Sequence, residues 1–174
     1  MTEHLDSAAI SPEAVRLAAQ LGAGKTLKEL RQLSDADLEA YYAFGEELYG
    51  QGKYDEAETV FRVLSVCDHT QSRFWMGLGA CRQMRGDFAW AILAYHMAAT
   101  LDETDPRVFL HAGECCLGLK DAENARLAFA KAVELGQGAE KHDAVVTKAQ
   151  ALRDILQQDA TGPNGQNDQG APHE

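Results

Sequence analysis

The chain has 174 residues, which suits one ordinary domain and is short for two. Apolar residues make up 45% of the sequence, enough for a hydrophobic core, and the many alanines, leucines and glutamates favour helix over strand. The 16 basic and 27 acidic side chains give a net charge of −11, which repels phosphate groups and argues against nucleic-acid binding and direct membrane binding.

The N-terminal segment, residues 1–33, is predicted to be helical. Ser11 and Pro12 begin a helix that runs to about Leu21 and ends at Gly22. A shorter helical piece, TLKELRQL, then leads to Ser34. The segment 10–21 has large apolar residues with little to pack against locally, and they are Ile10, Val15, Leu17 and Leu21.

A 34-residue repeat occupies residues 34–138. Glycine recurs at positions 45, 79 and 113, alanine at 57, 91 and 125, and an aromatic residue at 61, 95 and 129. Another aromatic residue precedes each glycine by four positions, and a small or apolar residue recurs at 64, 98 and 132. This pattern resembles the tetratricopeptide repeat, in which each unit is a pair of antiparallel helices and about three units must stack to bury a core.

The repeat register predicts an all-α fold of three helix hairpins, with repeats over about residues 38–71, 72–105 and 106–138. First helices are expected near 36–50, 72–84 and 106–118, and second helices near 54–67, 88–101 and 122–135. Ser34 and Asp105 are predicted helix N-caps, and Gly52 and Gly86 occupy equivalent turns. The third repeat has Lys120 at that turn position, so we expect its turn to differ.

Residues 139–159 are predicted to form a cap helix that covers the last repeat. Val145, Ala149, Leu152 and Leu156 fall on one stripe of that helix. The remaining tail, residues 160–174, is rich in glycine, proline, asparagine and glutamine and has no apolar anchor, so we expect it to be disordered.

The cysteines and the N-terminus bear on the cellular compartment. Cys67, Cys81, Cys115 and Cys116 show no CxxC spacing, and the N-terminus lacks the basic and apolar regions of a secretory signal. No apolar run reaches the roughly 18–20 residues that a membrane span needs. The sequence therefore predicts a cytosolic protein with reduced cysteines.

Several short motifs resemble the class II chaperones of bacterial type III secretion systems, which hold translocator subunits before export. The resemblance runs from about residue 20 to residue 135 and rests on CDH at 67–69, RF at 73–74, GLGACRQ at 77–83, DPR at 105–107 and HAGEC at 111–115. It implies a non-enzymatic chaperone in the bacterial cytoplasm that binds translocator proteins without a cofactor. It also implies a homodimer formed through the N-terminal segment, with Ile10, Val15, Leu17 and Leu21 as the contacts. Thr70 and Glu46 depart from the family, which usually has apolar or aromatic residues there.

The first helices of stacked repeats line a concave face, and four positions of each helix point into it. Tyrosine, methionine and leucine at these positions form an apolar strip with polar borders, which suits an extended peptide. The predicted groove consists of Tyr42, Glu46, Tyr49, Arg73, Met76, Ala80, Gln83, Arg107, Leu110, Glu114 and Leu117. We expect the apolar strip residues to lie outside the hydrophobic core. We also expect the positive charges of Arg73 and Arg107 to be balanced by Glu39, Glu46 and Glu114.

Three other signals are given structural interpretations. The GAGKT motif at 22–26 lacks the first glycine of a phosphate-binding loop and follows a helix, so it is interpreted as a break between helices. His111 and Cys115 are four residues apart, but Cys115 repeats the position of Cys81, so packing explains it better than a metal site. Cys116 points away from Cys115 and is expected to be partly exposed. No catalytic constellation is found, and neither a metal nor a cofactor is predicted.

Three other protein classes share some features with the sequence. A general repeat scaffold that serves another assembly pathway would share the same helices. The heat-shock co-chaperones grip a C-terminal carboxylate with lysine and asparagine, whereas the corresponding positions here are Tyr42, Glu46 and Ala80. An enzyme would rest on the GAGKT motif alone.

Overall fold

The computed structural model describes residues 11–161, and in this range it consists of helices joined by short turns, without a strand. The predicted all-α fold is confirmed. The helices are α1 (Pro12–Gly22), α2 (Leu27–Arg31), α3 (Asp35–Gly50), α4 (Tyr54–Cys67), α5 (Ser72–Met84), α6 (Phe88–Leu101), α7 (Pro106–Gly118), α8 (Ala122–Gly136) and α9 (Asp143–Thr161), with a 3₁₀ turn at Glu140–His142. None of these helices has the length and apolar character needed to cross a membrane.

Six of the helices form three hairpins that stack in chain order. The hairpins are α3 with α4, α5 with α6 and α7 with α8, and α4 packs on α5 as α6 packs on α7. The helix α9 then packs on α8 and α7 and covers the last hairpin. The observed bounds of the six hairpin helices agree with the predicted bounds to within a residue.

In each hairpin, an aromatic ring of the second helix packs against a glycine of the first helix. A methyl group added at Gly79 would lie 2.7 Å from Cε1 of Tyr95, and one at Gly113 would lie 2.5 Å from Cε1 of Phe129. The repeated alanine of each second helix is fully buried beside these rings. The repeat columns therefore mark the points where two helices approach too closely for any larger side chain.

The turn of the third hairpin matches the other two, so the expectation that it differs is wrong. Gly52 and Gly86 have φ angles of 76° and 80°, and Lys120 adopts 62° in the same left-handed region. The backbone nitrogen of Lys120 donates to Leu117 at 2.9 Å, as Gly86 does to Gln83 at 3.0 Å. The hydrogen bonds that close the hairpin thus impose this geometry even on lysine, at a cost of roughly 1–2 kcal/mol.

Side-chain caps set the starts of several helices. Ser34 and Asp37 form a capping box at α3, and Asp105 accepts a hydrogen bond from the backbone nitrogen of Arg107 at the start of α7. Thr26 and Glu29 form a second capping box at α2, and Gly24 has a φ angle of 84°. The GAGKT motif is therefore a glycine bend followed by a helix cap.

The N-terminal helix α1 makes little contact with the hairpins. Val15 and Leu21 are 56% and 39% exposed, and Leu17 is half-buried. The neighbouring helix α2 packs on α4. Ile10 and residues 162–174 of the predicted disordered tail lie outside the described residues. The prediction is wrong for residues 160 and 161, which belong to α9.

The cap helix is attached by apolar packing and by one ion pair. Ala149 is fully buried, and Val145, Leu152 and Leu156 pack against the core of the third hairpin. Lys148 places its Nζ atom 2.5 Å from Oε1 of Glu114, whose side chain is only 17% exposed. Glu114 thereby joins the cap helix to the first helix of the third repeat.

Glu114 accepts further hydrogen bonds that link it to the second repeat. Gln83 donates to its carboxylate at 2.9 Å, and Nδ1 of His111 lies 3.1 Å from it. The side-chain oxygen of Gln83 in turn accepts a hydrogen bond from the hydroxyl of Tyr95 at 2.7 Å. Burial by itself would raise the pKa of Glu114, but hydrogen bonds from His111, Lys148 and Gln83 lower it from 4.5 to about 2.

Replacing Gly79 tests whether helix approach limits stability. Gly79→Leu places a branched side chain against the ring of Tyr95, and we expect the free energy of unfolding to fall by about 1–3 kcal/mol or more. Gly50 is a matched control, because it is also helical and no neighbouring atom lies within 4 Å of its missing side chain. Chemical denaturation should show no loss for Gly50→Leu, and equal losses at both positions would contradict the packing described here.

The Glu114 network makes stability depend on pH. The pKa of Glu114 is lower in the folded chain than in the unfolded chain, so its contribution is full above pH 4.5 and is lost as the pH falls towards 2. We expect Glu114→Gln to remove about 2–3 kcal/mol at pH 7 and much less near pH 2.5. The exposed Glu123 provides a control, and Glu123→Gln should leave stability nearly unchanged at both pH values. A Glu114 variant whose deficit is the same at both pH values would argue against the network.

Candidate peptide-binding groove

The first helices α3 and α5 enclose an open depression on the concave face. Its volume is about 340 Å³. Six of the predicted groove residues line it together with two unpredicted ones, and the full lining is Tyr42, Glu46, Tyr49, Phe61, Met76, Gly77, Ala80 and Arg107. These six predicted residues thus come together around an opening between the first two repeats.

The lining includes Phe61 and Gly77, which the sequence analysis missed. A methyl group at Gly77 would lie 2.5 Å from the ring of Phe61, so the ring closely approaches the backbone of α5 at this glycine. Phe61 belongs to the aromatic column of the repeat and was assigned only to the core. Gly77 precedes the repeat glycine by two residues, and this additional glycine in α5 was the available signal.

Tyr42 is anchored by aromatic and cationic neighbours. Its ring centroid lies 5.7 Å from that of Phe61 and 5.9 Å from that of Phe74. The guanidinium of Arg73 lies 4.6 Å from the ring centroid of Tyr42. Burial raises the pKa of the Tyr42 hydroxyl to about 12, and a hydrogen bond with Glu46 adds to the rise. Tyr42 therefore forms a fixed wall of the depression.

Tyr49 borders the same depression one turn beyond Glu46. Its ring meets that of Tyr54 edge to face, with centroids 5.3 Å apart. Burial raises the pKa of the Tyr49 hydroxyl as well. Two half-buried tyrosines on α3 thus present apolar rings with polar tips to the groove.

A second depression of about 300 Å³ adjoins the first and is strongly polar. It shares Tyr42, Met76 and Arg107 with the first depression and adds Arg73. Arg107 pairs with Asp105 through its Nη2 atom at 2.6 Å and through its Nε atom at 2.9 and 3.0 Å. Although burial opposes the shift, these hydrogen bonds lower the pKa of Asp105. The expectation that Glu46 and Glu114 balance the charge of Arg107 is therefore wrong, because Asp105, two positions before it, forms the ion pair.

Arg73 pairs with Glu39 across the first two repeats, as the sequence analysis expected. The distance from its Nη1 atom to Oε2 of Glu39 is 2.7 Å. Both side chains are about half exposed, so solvent screens the pair.

The strip closes toward the third repeat. Leu110 is only 4% exposed and packs in the core with Phe129 and Val133. The expectation that the strip residues lie outside the hydrophobic core is therefore wrong for Leu110. Leu117 is half-buried against the same core. Gln83 and Glu114 are held in the network that binds the cap helix. The open apolar part of the groove consequently lies between the first two repeats.

The histidine and cysteines of α7 are packed within the structure. The ring of His111 stacks on that of Tyr95 with centroids 5.7 Å apart, and Cys115 is fully buried. Cys116 is 9% exposed and belongs to the core, so its expected partial exposure is wrong. Burial raises the pKa of Cys116. Within residues 11–161, no three histidine, cysteine, aspartate or glutamate side chains are grouped as metal ligands would be.

Comparisons with known proteins agree with this geometry. The tetratricopeptide repeat family matches residues 38–70 and 72–105. Low calcium response locus protein H of Yersinia pestis is 40% identical over 115 residues, which cover 66% of this chain and 68% of that protein.

Two solved structures share both fold and sequence with the chain. PcrH of Pseudomonas aeruginosa, solved with the chaperone binding region of PopD, is 36% identical with a TM-score of 0.72 over 73% of this chain and 96% of PcrH. SycD of Yersinia enterocolitica, solved with a peptide of the translocator YopD, is 34% identical with a TM-score of 0.71 over 73% of this chain and 97% of SycD. On this likeness of sequence and structure, the chain belongs to the class II family of type III secretion translocator chaperones built from tetratricopeptide repeats.

Proposed function

We propose that this protein is a chaperone that binds type III secretion translocator proteins in the bacterial cytoplasm and keeps them soluble and unassembled before export. The observation that carries the proposal is the open depression that Tyr42, Tyr49, Met76 and Ala80 line between the first two repeats. PcrH and SycD have been solved with translocator segments bound, which supports the same client class for this relative.

The shape of the site favours an extended segment of the client. The depression is open, and the polar second depression continues along the same face. An extended chain can place one apolar side chain in the first depression while its backbone passes over the polar groups beside it. Covering apolar segments of a client in this way lowers their tendency to aggregate.

We propose a binding role without catalysis for the groove. Its arginines are engaged in ion pairs with Glu39 and Asp105, and Glu114 is held by Lys148. None of the groove residues within the described part of the chain combines a nucleophile with a nearby base. These charges orient neighbouring helices and the rim of the groove.

We further propose that residues 1–33 serve in homodimer formation. The support is that Val15 and Leu21 remain exposed on an amphipathic helix that makes little contact with its own hairpins. A second copy would cover these side chains, and SycD has been solved as a dimer. Ile10, Val15, Leu17 and Leu21 are the proposed contacts.

Removing both groove tyrosines tests the proposed client site. We expect Tyr42→Ala with Tyr49→Ala to weaken translocator capture by about thirtyfold or more, because apolar anchors lose about 2 kcal/mol or more on truncation. Tyr41→Ala is the matched control, since Tyr41 is 60% exposed on the same helix and does not line the depression. Calorimetry with the PopD chaperone binding region provides the affinities.

The tyrosine double variant could lose binding because it unfolds, since Tyr42 packs on Phe61 and Phe74. A second variant tests the same site with both tyrosines present. Ala80→Trp should fill the depression from the opposite helix and reduce binding with both tyrosines in place. Wild-type affinity in folded forms of both variants would show that the client binds elsewhere.

Deleting residues 1–21 tests the proposed dimer. We expect light scattering to show a smaller mass for the truncated chain, while its circular dichroism still shows folded helices, because the hairpins pack without α1. Equal masses for the truncated and full chains would contradict a dimer formed through this segment.

A further inference from the structure

Glu46 is an acidic side chain set among the rings of the open depression. It lies on α3 between Tyr42 and Tyr49, and Met76 and Ala80 line the same depression from α5. Its side chain is exposed to solvent. Among the described residues, no lysine, arginine or histidine nitrogen approaches its carboxylate within 4.0 Å.

The other charged groups of the groove already have partners of opposite charge. Arg73 pairs with Glu39 at 2.7 Å, and Arg107 pairs with Asp105 at 2.6 Å. Glu114 occupies the position of Glu46 two repeats later and pairs with Lys148 at 2.5 Å. Glu46 is therefore a groove charge that residues 11–161 leave without an ion pair.

The neighbour that does reach Glu46 is neutral. Glu46 contributes to the raised pKa of the Tyr42 hydroxyl, after the larger effect of burial. A neutral hydroxyl beside the carboxylate leaves its negative charge in place. The net charge of −11 adds a long-range attraction for a basic partner.

We propose that Glu46 selects a lysine or arginine in the bound translocator segment, next to its apolar anchor. This inference rests on the proposed function and concerns the same depression. The methylene stem of such a residue would pack against Tyr49 and Met76, while its charged end reaches the carboxylate of Glu46. An apolar residue at that point would instead cover the carboxylate without replacing its water, so Glu46 also disfavours the wrong client.

Peptides based on the chaperone binding region of PopD test this selection. Each position is replaced in turn by lysine, glutamate or norleucine, and fluorescence anisotropy measures the affinity of the full chain for each peptide. At one position next to an apolar anchor we expect lysine to bind about two to five times more tightly than norleucine, the upper part of the range for an exposed ion pair. That preference should shrink as the salt concentration rises from about 50 to about 500 mM, because the Debye length shortens and exposed charges are screened.

Variants at position 46 assign the preference to this residue. Glu46→Gln should remove the preference for lysine at that position, and Glu46→Lys should transfer it to the peptide with glutamate. Glu56→Gln is the matched control, because Glu56 is exposed on α4 outside the groove and the substitution changes the net charge equally. The control should keep the wild-type preference.

The outcomes separate this inference from the proposed function. Tight binding without a lysine preference at any position, or a preference that survives Glu46→Gln, overturns the role of Glu46 while the client site stands. If Glu56→Gln also loses the preference, the preference depends only on net charge, and the proposed role of Glu46 is overturned. A wild-type chain that binds none of the peptides contradicts both proposals.

Discussion

Contact between an aromatic ring and a glycine determines the geometry of all three hairpins. Phe61, Tyr95 and Phe129 each lie against the repeat glycine of the preceding helix, where a methyl group would come within 2.5–3.0 Å of the ring. The close approach brings the two helices of a hairpin together, and stacking then aligns the first helices on one face. Because this face is shared by α3, α5 and α7, the client groove is a direct consequence of the packing.

The groove is divided into an open half and a closed half. Between the first two repeats, tyrosine and methionine side chains line a depression that a client side chain can enter. Toward the third repeat, Leu110 is buried and Glu114 is held by Gln83, His111 and Lys148. Attachment of the cap helix therefore uses the groove positions of the third repeat and leaves the open depression between the first two repeats.

The helix boundaries were predictable because the same boundary recurs at 34-residue spacing in all three repeats. Side-chain burial was less predictable, since the same column faces solvent in one repeat and a neighbouring element in another. Leu110 shares a column with Tyr42 and Met76, yet only Leu110 is almost completely buried. The left-handed Lys120 shows a similar limit, because hydrogen bonds of the turn outweigh the preference of its residue type. Partners two residues apart, such as Asp105 and Arg107, were missed because the ion pairs were sought between repeat columns.

The central claim is that the client lies on the face formed by the first helices. A photo-crosslinking amino acid at position 49, beside the depression, and one at position 93, which is exposed on the second helix α6, would test this directly. With a bound translocator segment such as the PopD chaperone binding region, the account predicts a crosslinked product from position 49 and none from position 93. A crosslink from position 93 with none from position 49 would contradict it.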